Sequence, residues 1–188
     1  MDDAPRTKNA ILQRNRDAAA RVDPAINALS DEQMLAVSPG GGWSPRDIVA
    51  HMGGDLRWFA EQLEALRDGR EPSTIRAFGT EDLPTGGHDM STQDGRNAAQ
   101  HELLSTLSLN EVRQRWDDYR ARVDELIREL PPDSLEVSHT IAPVGEPGQV
   151  RPAESGEQGW PLWRWIAGIT WYHFEDHAGD LEAAANRG

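Results

Sequence analysis

Apolar residues recur at three- and four-residue steps in four long stretches of this chain, which is the spacing of an amphipathic helix. The first stretch covers residues 4–29, and Pro24 inside it predicts a kink or a break. A short segment follows in which Ser30 and Gln33 have the spacing of a capping box, a helix start in which each residue bonds the other's backbone.

The remaining long helices have clear start or stop signals. Two of them begin at capping boxes, Ser44 with Asp47 and Ser108 with Glu111. The first of these is expected to run to about Arg67 and to end at Gly69, and the second to end before Pro131-Pro132. The last helix is expected to open at Pro161 and to extend to about Ala185 as one element.

Two long connections, residues 69–92 and 131–160, are rich in glycine, proline and acidic residues and lack any period. Connections of this length are typical of lids or mobile segments. A short helix is expected over Asn97 to Leu107, and one short strand within Ser134 to Ala142. Four long helices with almost no strand predict an all-α four-helix bundle with long inter-helix loops, formed by a single domain over residues 1–188.

The amino-acid composition argues against several classes of function. The 188 residues include 32 acidic and 19 basic side chains, a net charge of −13, which argues against general nucleic-acid binding. No cysteine is present, so disulfides, cysteine-ligated metals and a catalytic thiol from the protein are excluded. No apolar run approaches the roughly 20 residues that span a membrane, and the N-terminus is polar, so we expect a soluble cytoplasmic protein. A homodimer through an exposed helix face is left open.

Three of the six histidines form a candidate metal site. His173 and His177 are four residues apart on the predicted last helix, so their side chains lie about 6 Å apart on one face. His51 lies at the inner edge of the predicted helix that begins at Ser44. Three imidazoles from two helices would leave coordination positions open for water or substrate, as in catalytic sites. The alternative is that they are ordinary core histidines; the other three histidines are assigned no role.

Other side chains near these histidines are weaker candidates. Asp55 and Asp180, each one turn after a histidine, could orient a ligand through a hydrogen bond, or could belong to solvated helix faces. Two tryptophans, Trp58 and Trp171, are candidate pocket residues, although they could equally fill the core. Three arginines are also candidates, since they could bind a carboxylate, although they could equally form helix-surface pairs: Arg46, Arg57 and Arg164.

Two segments carry a resemblance to a known family. The segment from Gly42 to His51 resembles the GWS-x-x-D-x-x-x-H signature of the DinB/YfiT-like superfamily, and His173-x-x-x-His177 resembles its second signature. The resemblance implies a four-helix bundle that holds one divalent metal, such as zinc, nickel or iron, through three histidines. By this resemblance His51, His173 and His177 are the ligands.

The resemblance also implies a range of functions. Some members of the superfamily are transferases or isomerases that use bacillithiol, mycothiol or glutathione, and the mycothiol-dependent maleylpyruvate isomerases are an example. Our first hypothesis is therefore a metal-dependent S-transferase or isomerase that acts on a small molecule with a thiol cosubstrate. The alternatives are a hydrolase with metal-activated water and a non-catalytic metal- or ligand-binding stress-response bundle. An enzyme would keep an open metal position, whereas a structural site would be closed by a fourth protein ligand.

Overall fold

Helices form most of the structure, a computed structural model that describes residues 5–37, 42–70, 87–89, 92–139 and 159–187. The elements, in chain order, are α1 (Lys8–Ala28), α2 (Asp31–Leu35), α3 (Pro45–Arg67), α4 (Gln93–Leu104), α5 (Leu109–Glu129), β1 (Ser138–His139), β2 (Trp160–Pro161), α6 (Leu162–Ile169) and α7 (Trp171–Ala185). No helix among these described segments is both long enough and apolar enough to cross a membrane.

The predicted capping boxes are present at the starts of α2, α3 and α5. At α3 the Ser44 backbone N–H donates to Asp47 Oδ2 over 3.0 Å, while the Asp47 backbone N–H donates to Ser44 Oγ over 3.3 Å. These bonds satisfy donors that the first turn of a helix leaves without a partner. They fix the register of α3 and therefore the position of His51, two turns after the cap.

The core lies between the four long helical segments. α3 packs along α5 and α1 packs along α7, and further contacts of α1 with α5 and of α3 with α7 complete the bundle. A buried aromatic contact joins α5 to α7, where the rings of Trp116 and Phe174 meet edge to face at 4.9 Å. This arrangement confirms the all-α four-helix bundle, because each helix buries one apolar stripe against its neighbours.

The predicted last helix is two helices, and this corrects the expectation of one element from Pro161 to Ala185. α6 ends at Ile169, and Thr170 has backbone angles φ −109° and ψ −103°, outside the helical region. The Thr170 hydroxyl donates to the Ile166 carbonyl over 2.6 Å, a local bond that often bends helices. On α7, Phe174 and Ala178 are fully buried, while His173 lies at the margin of the core.

Other boundaries differ from the sequence prediction. α1 passes through Pro24 without a break. α4 begins four residues earlier than predicted, because the Thr92 side chain accepts a bond from the Gly95 backbone N–H over 3.0 Å and caps it. The region of the predicted strand contains a single turn of 3₁₀ helix at Ser134–Glu136, followed by β1, which pairs antiparallel with β2.

Most of the predicted 69–92 connection, and residues 140–158 of the 131–160 connection, lie outside the described residues. The expectation that they are lids or mobile segments stays a prediction, as does the single-domain boundary at residues 1–188.

Candidate metal centre

The bundle brings the three predicted histidines together. α3 supplies His51, and successive turns of α7 supply His173 and His177. The Nε2 atoms of His51 and His173 are 3.0 Å apart, and those of His173 and His177 are 3.2 Å apart. One nitrogen from each residue falls within a group whose members all lie within 4.8 Å of one another. His51 and the two histidines of α7, more than 120 positions away in the sequence, therefore direct their Nε2 atoms to the same position.

The spacing of these nitrogens fits a bound metal ion. Two nitrogens that each lie about 2.0–2.1 Å from one zinc-like ion are about 2.8–3.0 Å apart at an octahedral angle and about 3.3–3.4 Å apart at a tetrahedral angle. The separations of 3.0 and 3.2 Å in the structure fall between these two limits. Imidazole nitrogen suits zinc, nickel and iron, so the donor set agrees with the metals named above without choosing among them.

Burial favours the neutral form of the His173 and His177 imidazoles, which is the form that binds a metal. His51 is buried, and the His173 side chain is 14% exposed. Burial lowers the pKa of His173 to about 3, although the nearby Asp55 carboxylate acts in the opposite direction. Burial, together with the neighbouring His51, also lowers the pKa of His177. At neutral pH these two side chains therefore carry lone pairs rather than positive charges.

A buried glutamine and a buried aspartate border the histidine cluster. Gln100 Oε1 lies 2.5 Å from His51 Nδ1, and the Gln100 amide nitrogen donates to Asp55 Oδ1 over 2.9 Å. The second oxygen, Asp55 Oδ2, is 3.7 Å from both His51 Nε2 and His173 Nδ1. The structure thus places Asp55, a sequence candidate, beside two of the histidines. Sequence analysis missed Gln100, because nothing in the pattern of the short α4 marks it.

An aromatic wall lies beside His51. The Trp43 ring meets His51 edge to face at 4.9 Å and stacks on His101 at 5.6 Å with an interplanar angle of 14°. His101 Nε2 in turn lies 3.4 Å from Asp47 Oδ1. Burial acts to raise the pKa of Asp47, but hydrogen bonds from Ser44 and Arg46 outweigh it and lower this pKa. His101, to which the sequence assigned no role, therefore borders the site without joining the ligand group.

The three candidate arginines are engaged elsewhere. Arg46 is buried and donates to the backbone carbonyls of Leu104 and Leu107 over 2.8 and 2.6 Å, so it joins α3 to the end of α4. Arg57 is half-exposed and faces Glu61 one turn away at 3.6 Å. Arg164 lies over the Trp160 ring at 4.2 Å. In the structure Arg46 is therefore bonded between α3 and the end of α4, and carboxylate binding by the three arginines stays a prediction.

The other sequence candidates divide between core and surface. Trp58 and Trp171 are 4% and 1% exposed and belong to the hydrophobic core, so neither lines an open pocket. Asp180 is exposed one turn after His177, where its charge acts to raise the pKa of that histidine against the larger effect of burial. Asp55 is therefore the better placed of the two carboxylates.

Comparison with known proteins agrees with this architecture. The family model described as "Mycothiol maleylpyruvate isomerase N-terminal domain" matches residues 15–153. That range includes His51, Asp55 and Gln100, and it ends before His173 and His177. A search of the curated proteins finds no match.

Solved structures show the same fold at low sequence identity. "Sibling Lethal Factor Precursor - DfsB" has a TM-score of 0.67 and 18% identity, covering 96% of each chain. An uncharacterised protein from Escherichia coli UTI89 has a TM-score of 0.67 and 17% identity, covering 100% of this chain and 97% of its own. A mycothiol-dependent maleylpyruvate isomerase has a TM-score of 0.65 and 16% identity; the match covers 96% of this chain but only 62% of the isomerase.

Proposed function

This chain belongs to the mycothiol maleylpyruvate isomerase N-terminal domain family, and we propose that it is a divalent-metal-dependent enzyme acting on a small electrophilic molecule with a low-molecular-weight thiol. The reaction would be an S-transfer to that molecule or its isomerisation. The family membership supports the thiol dependence, since the family description and one similar structure both name mycothiol.

The observation that carries the proposal is the convergence of three imidazole nitrogens. His51, His173 and His177 would hold the ion through Nε2, at separations of 3.0 and 3.2 Å along the cluster. An ion held there would lower the pKa of a coordinated thiol and so favour the nucleophilic thiolate. Because the chain has no cysteine, the thiol has to come from a cosubstrate.

The protein's own groups would shape the space around the ion. Trp43, which meets His51 edge to face and stacks on His101, forms an aromatic boundary beside His51 against which a substrate could pack. Gln100 lies at the Nδ1 side of His51, and Asp55 Oδ2 lies 3.7 Å from His51 Nε2 and from His173 Nδ1, so both residues can orient the rings. Within the described residues the candidate ligand group consists of three histidines, which supports an open metal position rather than the closed site of the non-catalytic alternative.

Elemental analysis of the purified protein beside two histidine variants tests the metal site. We expect about one divalent ion per chain in the wild type and in His88→Ala, and none in His173→Ala. His88 is a suitable control because it pairs with Glu102 at 2.8 Å in an exposed position. An unchanged metal content in His173→Ala, or no metal in the wild type, would contradict the proposal.

A thermal-shift panel then tests the thiol. Mycothiol, bacillithiol and glutathione are each added with zinc, nickel or iron(II) present, and we expect one thiol to raise the melting temperature only in the metal-loaded protein. Stabilisation by none of them would favour the stress-response bundle or the hydrolase. A cytoplasmic location and a homodimer stay predictions.

A further inference from the structure

We propose that Gln100 is a positioning residue that fixes the proton of His51 on Nδ1, so that His51 presents the lone pair of Nε2 to the metal. This inference rests on the proposed metal site and deepens it. It assigns a purpose to α4, the short helix that packs against α3. It also explains why a glutamine that is only 1% exposed lies beside the histidine cluster.

The direction of each hydrogen bond follows from Asp55. An ionised carboxylate can only accept hydrogen bonds, so the group 2.9 Å from Asp55 Oδ1 has to be the amide NH₂ of Gln100. The amide oxygen of Gln100 must then face His51 Nδ1, at 2.5 Å. Because an amide oxygen only accepts, Nδ1 carries the proton. A neutral imidazole has one protonated nitrogen, so Nε2 is left with its lone pair directed at the cluster.

The burial of the three residues supports this assignment of hydrogen bonds. His51, Asp55 and Gln100 are 6%, 8% and 1% exposed, so bulk water is poorly placed to replace any of these partners. If Gln100 were turned the other way, two acceptor oxygens would face each other at Asp55, and the amide NH₂ would face His51 Nδ1, which could accept from it only with its proton moved to Nε2. The buried pair of facing oxygens is the costly feature that selects the observed orientation.

Two features of the fold hold Gln100 in this position. Gly54 lies between His51 and Asp55 on α3, and a Cβ atom built there would be 2.6 Å from Gln100 Nε2 and 3.1 Å from Leu104 Cδ1. The glycine therefore leaves the space in which the glutamine lies. Arg46 binds the carbonyls of Leu104 and Leu107 and so fixes the end of α4 against α3.

The same carboxylate can orient a second ligand. Asp55 Oδ2 is 3.7 Å from His173 Nδ1, an atom that is buried and accepts or donates no hydrogen bond within the described structure. A proton on that nitrogen would point toward the carboxylate and leave the His173 Nε2 lone pair 3.0 Å from that of His51. Two facing lone pairs at this distance repel unless a cation lies between them, which links the orientation of both rings to metal binding.

Two substitutions remove the contact in different ways. Gln100→Leu deletes the amide, and Gly54→Ala keeps the amide but occupies its space. Gly53→Ala is the matched control on the same helix, because its Cβ would be 3.5 Å from the Trp116 backbone, an ordinary contact. Circular dichroism and urea unfolding verify that each variant is folded, and Gly54→Ala carries the test if Gln100→Leu does not fold.

Nitrogen-15 NMR of the metal-free protein at mildly alkaline pH reads the ring tautomer directly, with the His51 signals assigned by their loss in His51→Ala. We expect His51 to be protonated on Nδ1 in the wild type and in Gly53→Ala, and to lose this preference in Gln100→Leu and Gly54→Ala. Zinc affinity, measured by competition with a chelator, should fall about 10- to 100-fold in the latter two variants.

The two measurements separate this inference from the proposed function. A wild-type His51 protonated on Nε2 would overturn the role of Gln100, and so would an unchanged tautomer in both Gln100→Leu and Gly54→Ala. A wild-type protein that binds no zinc but shows the Nδ1–H form, lost in those variants, would overturn the metal proposal and still support the positioning role.

Discussion

Replacing Arg46 by methionine distinguishes a structural role for this residue from substrate binding. The sequence suggested a carboxylate anchor, whereas the structure shows a buried guanidinium that donates to Leu104 and Leu107 carbonyls and to Asp47 Oδ1, over 2.8, 2.6 and 2.8 Å. Methionine keeps much of the apolar stem and removes all three bonds. The Leu104 carbonyl then loses the bond from Arg46 and keeps the one from the Leu107 backbone N–H, over 3.1 Å.

The expected loss of stability is large for one side chain. Hydrogen bonds from a charged donor contribute about 1.5–3 kcal/mol each, and removing one partner of a buried charge pair costs about 3–5 kcal/mol in total. Because Asp47 keeps its bonds with Ser44, we expect Arg46→Met to lower the free energy of unfolding by about 3–4 kcal/mol. Domains are typically stable by only about 5–15 kcal/mol, so the effect is easily measured.

Urea unfolding followed by circular dichroism is the assay, with Arg57→Met as the matched control on the same helix. Arg57 makes one half-exposed contact of 3.6 Å with Glu61, so its removal should cost less than about 1 kcal/mol. The midpoint should shift for Arg46→Met with little change in slope, as expected when stability alone changes. If Arg46→Met lost less than about 1 kcal/mol but no longer bound an anionic thiol, the structural reasoning would be refuted and the anchor role restored.

Three further predictions concern the site and its support. Asp55→Asn should weaken zinc binding about 10- to 100-fold in chelator competition, while Asp180→Asn, at an exposed position, should leave it unchanged; equal effects would remove the distinction between the two carboxylates. Asp23→Ala removes the acceptor 2.9 Å from Trp116 Nε1 and should cost about 1–3 kcal/mol in urea unfolding, a value near zero being the contrary result. Metal at 100 times its Kd should raise the free energy of unfolding by about 2.7 kcal/mol, and a chelator or His177→Ala should abolish that gain; a gain retained in the variant would argue for binding elsewhere.

Local signals explain why so much of the bundle was predictable. The capping boxes at Ser44 and Ser108 use only neighbouring residues, so their bonds could be inferred from spacing and are present in the structure. Once α3 and the last helix are in register, the positions of His51, His173 and His177 follow from 3.6-residue periodicity. The convergence of their Nε2 atoms needed only that the two helices face each other, which a four-helix bundle provides.

The features that sequence missed depend on contacts between distant residues. Thr170 interrupts the last helix although threonine is common inside helices, and its effect depends on a side-chain bond to the Ile166 carbonyl. The bonds of Arg46 to the end of α4 could not be predicted, because these acceptors are backbone carbonyls about sixty positions away that carry no sequence signal. A backbone acceptor exists at every residue, so its use by a particular arginine can be seen only in the fold.

Gln100 shows why the surroundings of a ligand are harder to predict than the ligand itself. Histidine is a common metal ligand, so the residue type itself indicates a metal site, and a four-residue spacing on one helix restricts where the two rings lie. A glutamine has no such signature, and here its importance comes from the order of donors and acceptors between His51 and Asp55, 45 positions or more away along the chain. Gly54 has no sequence signature of this kind either, because its importance is that the missing side chain on α3 leaves space for the Gln100 side chain on α4. The orientation of the ligands is therefore a property of the α3–α4 contact, and sequences that keep the three histidines but change this contact should differ in metal affinity.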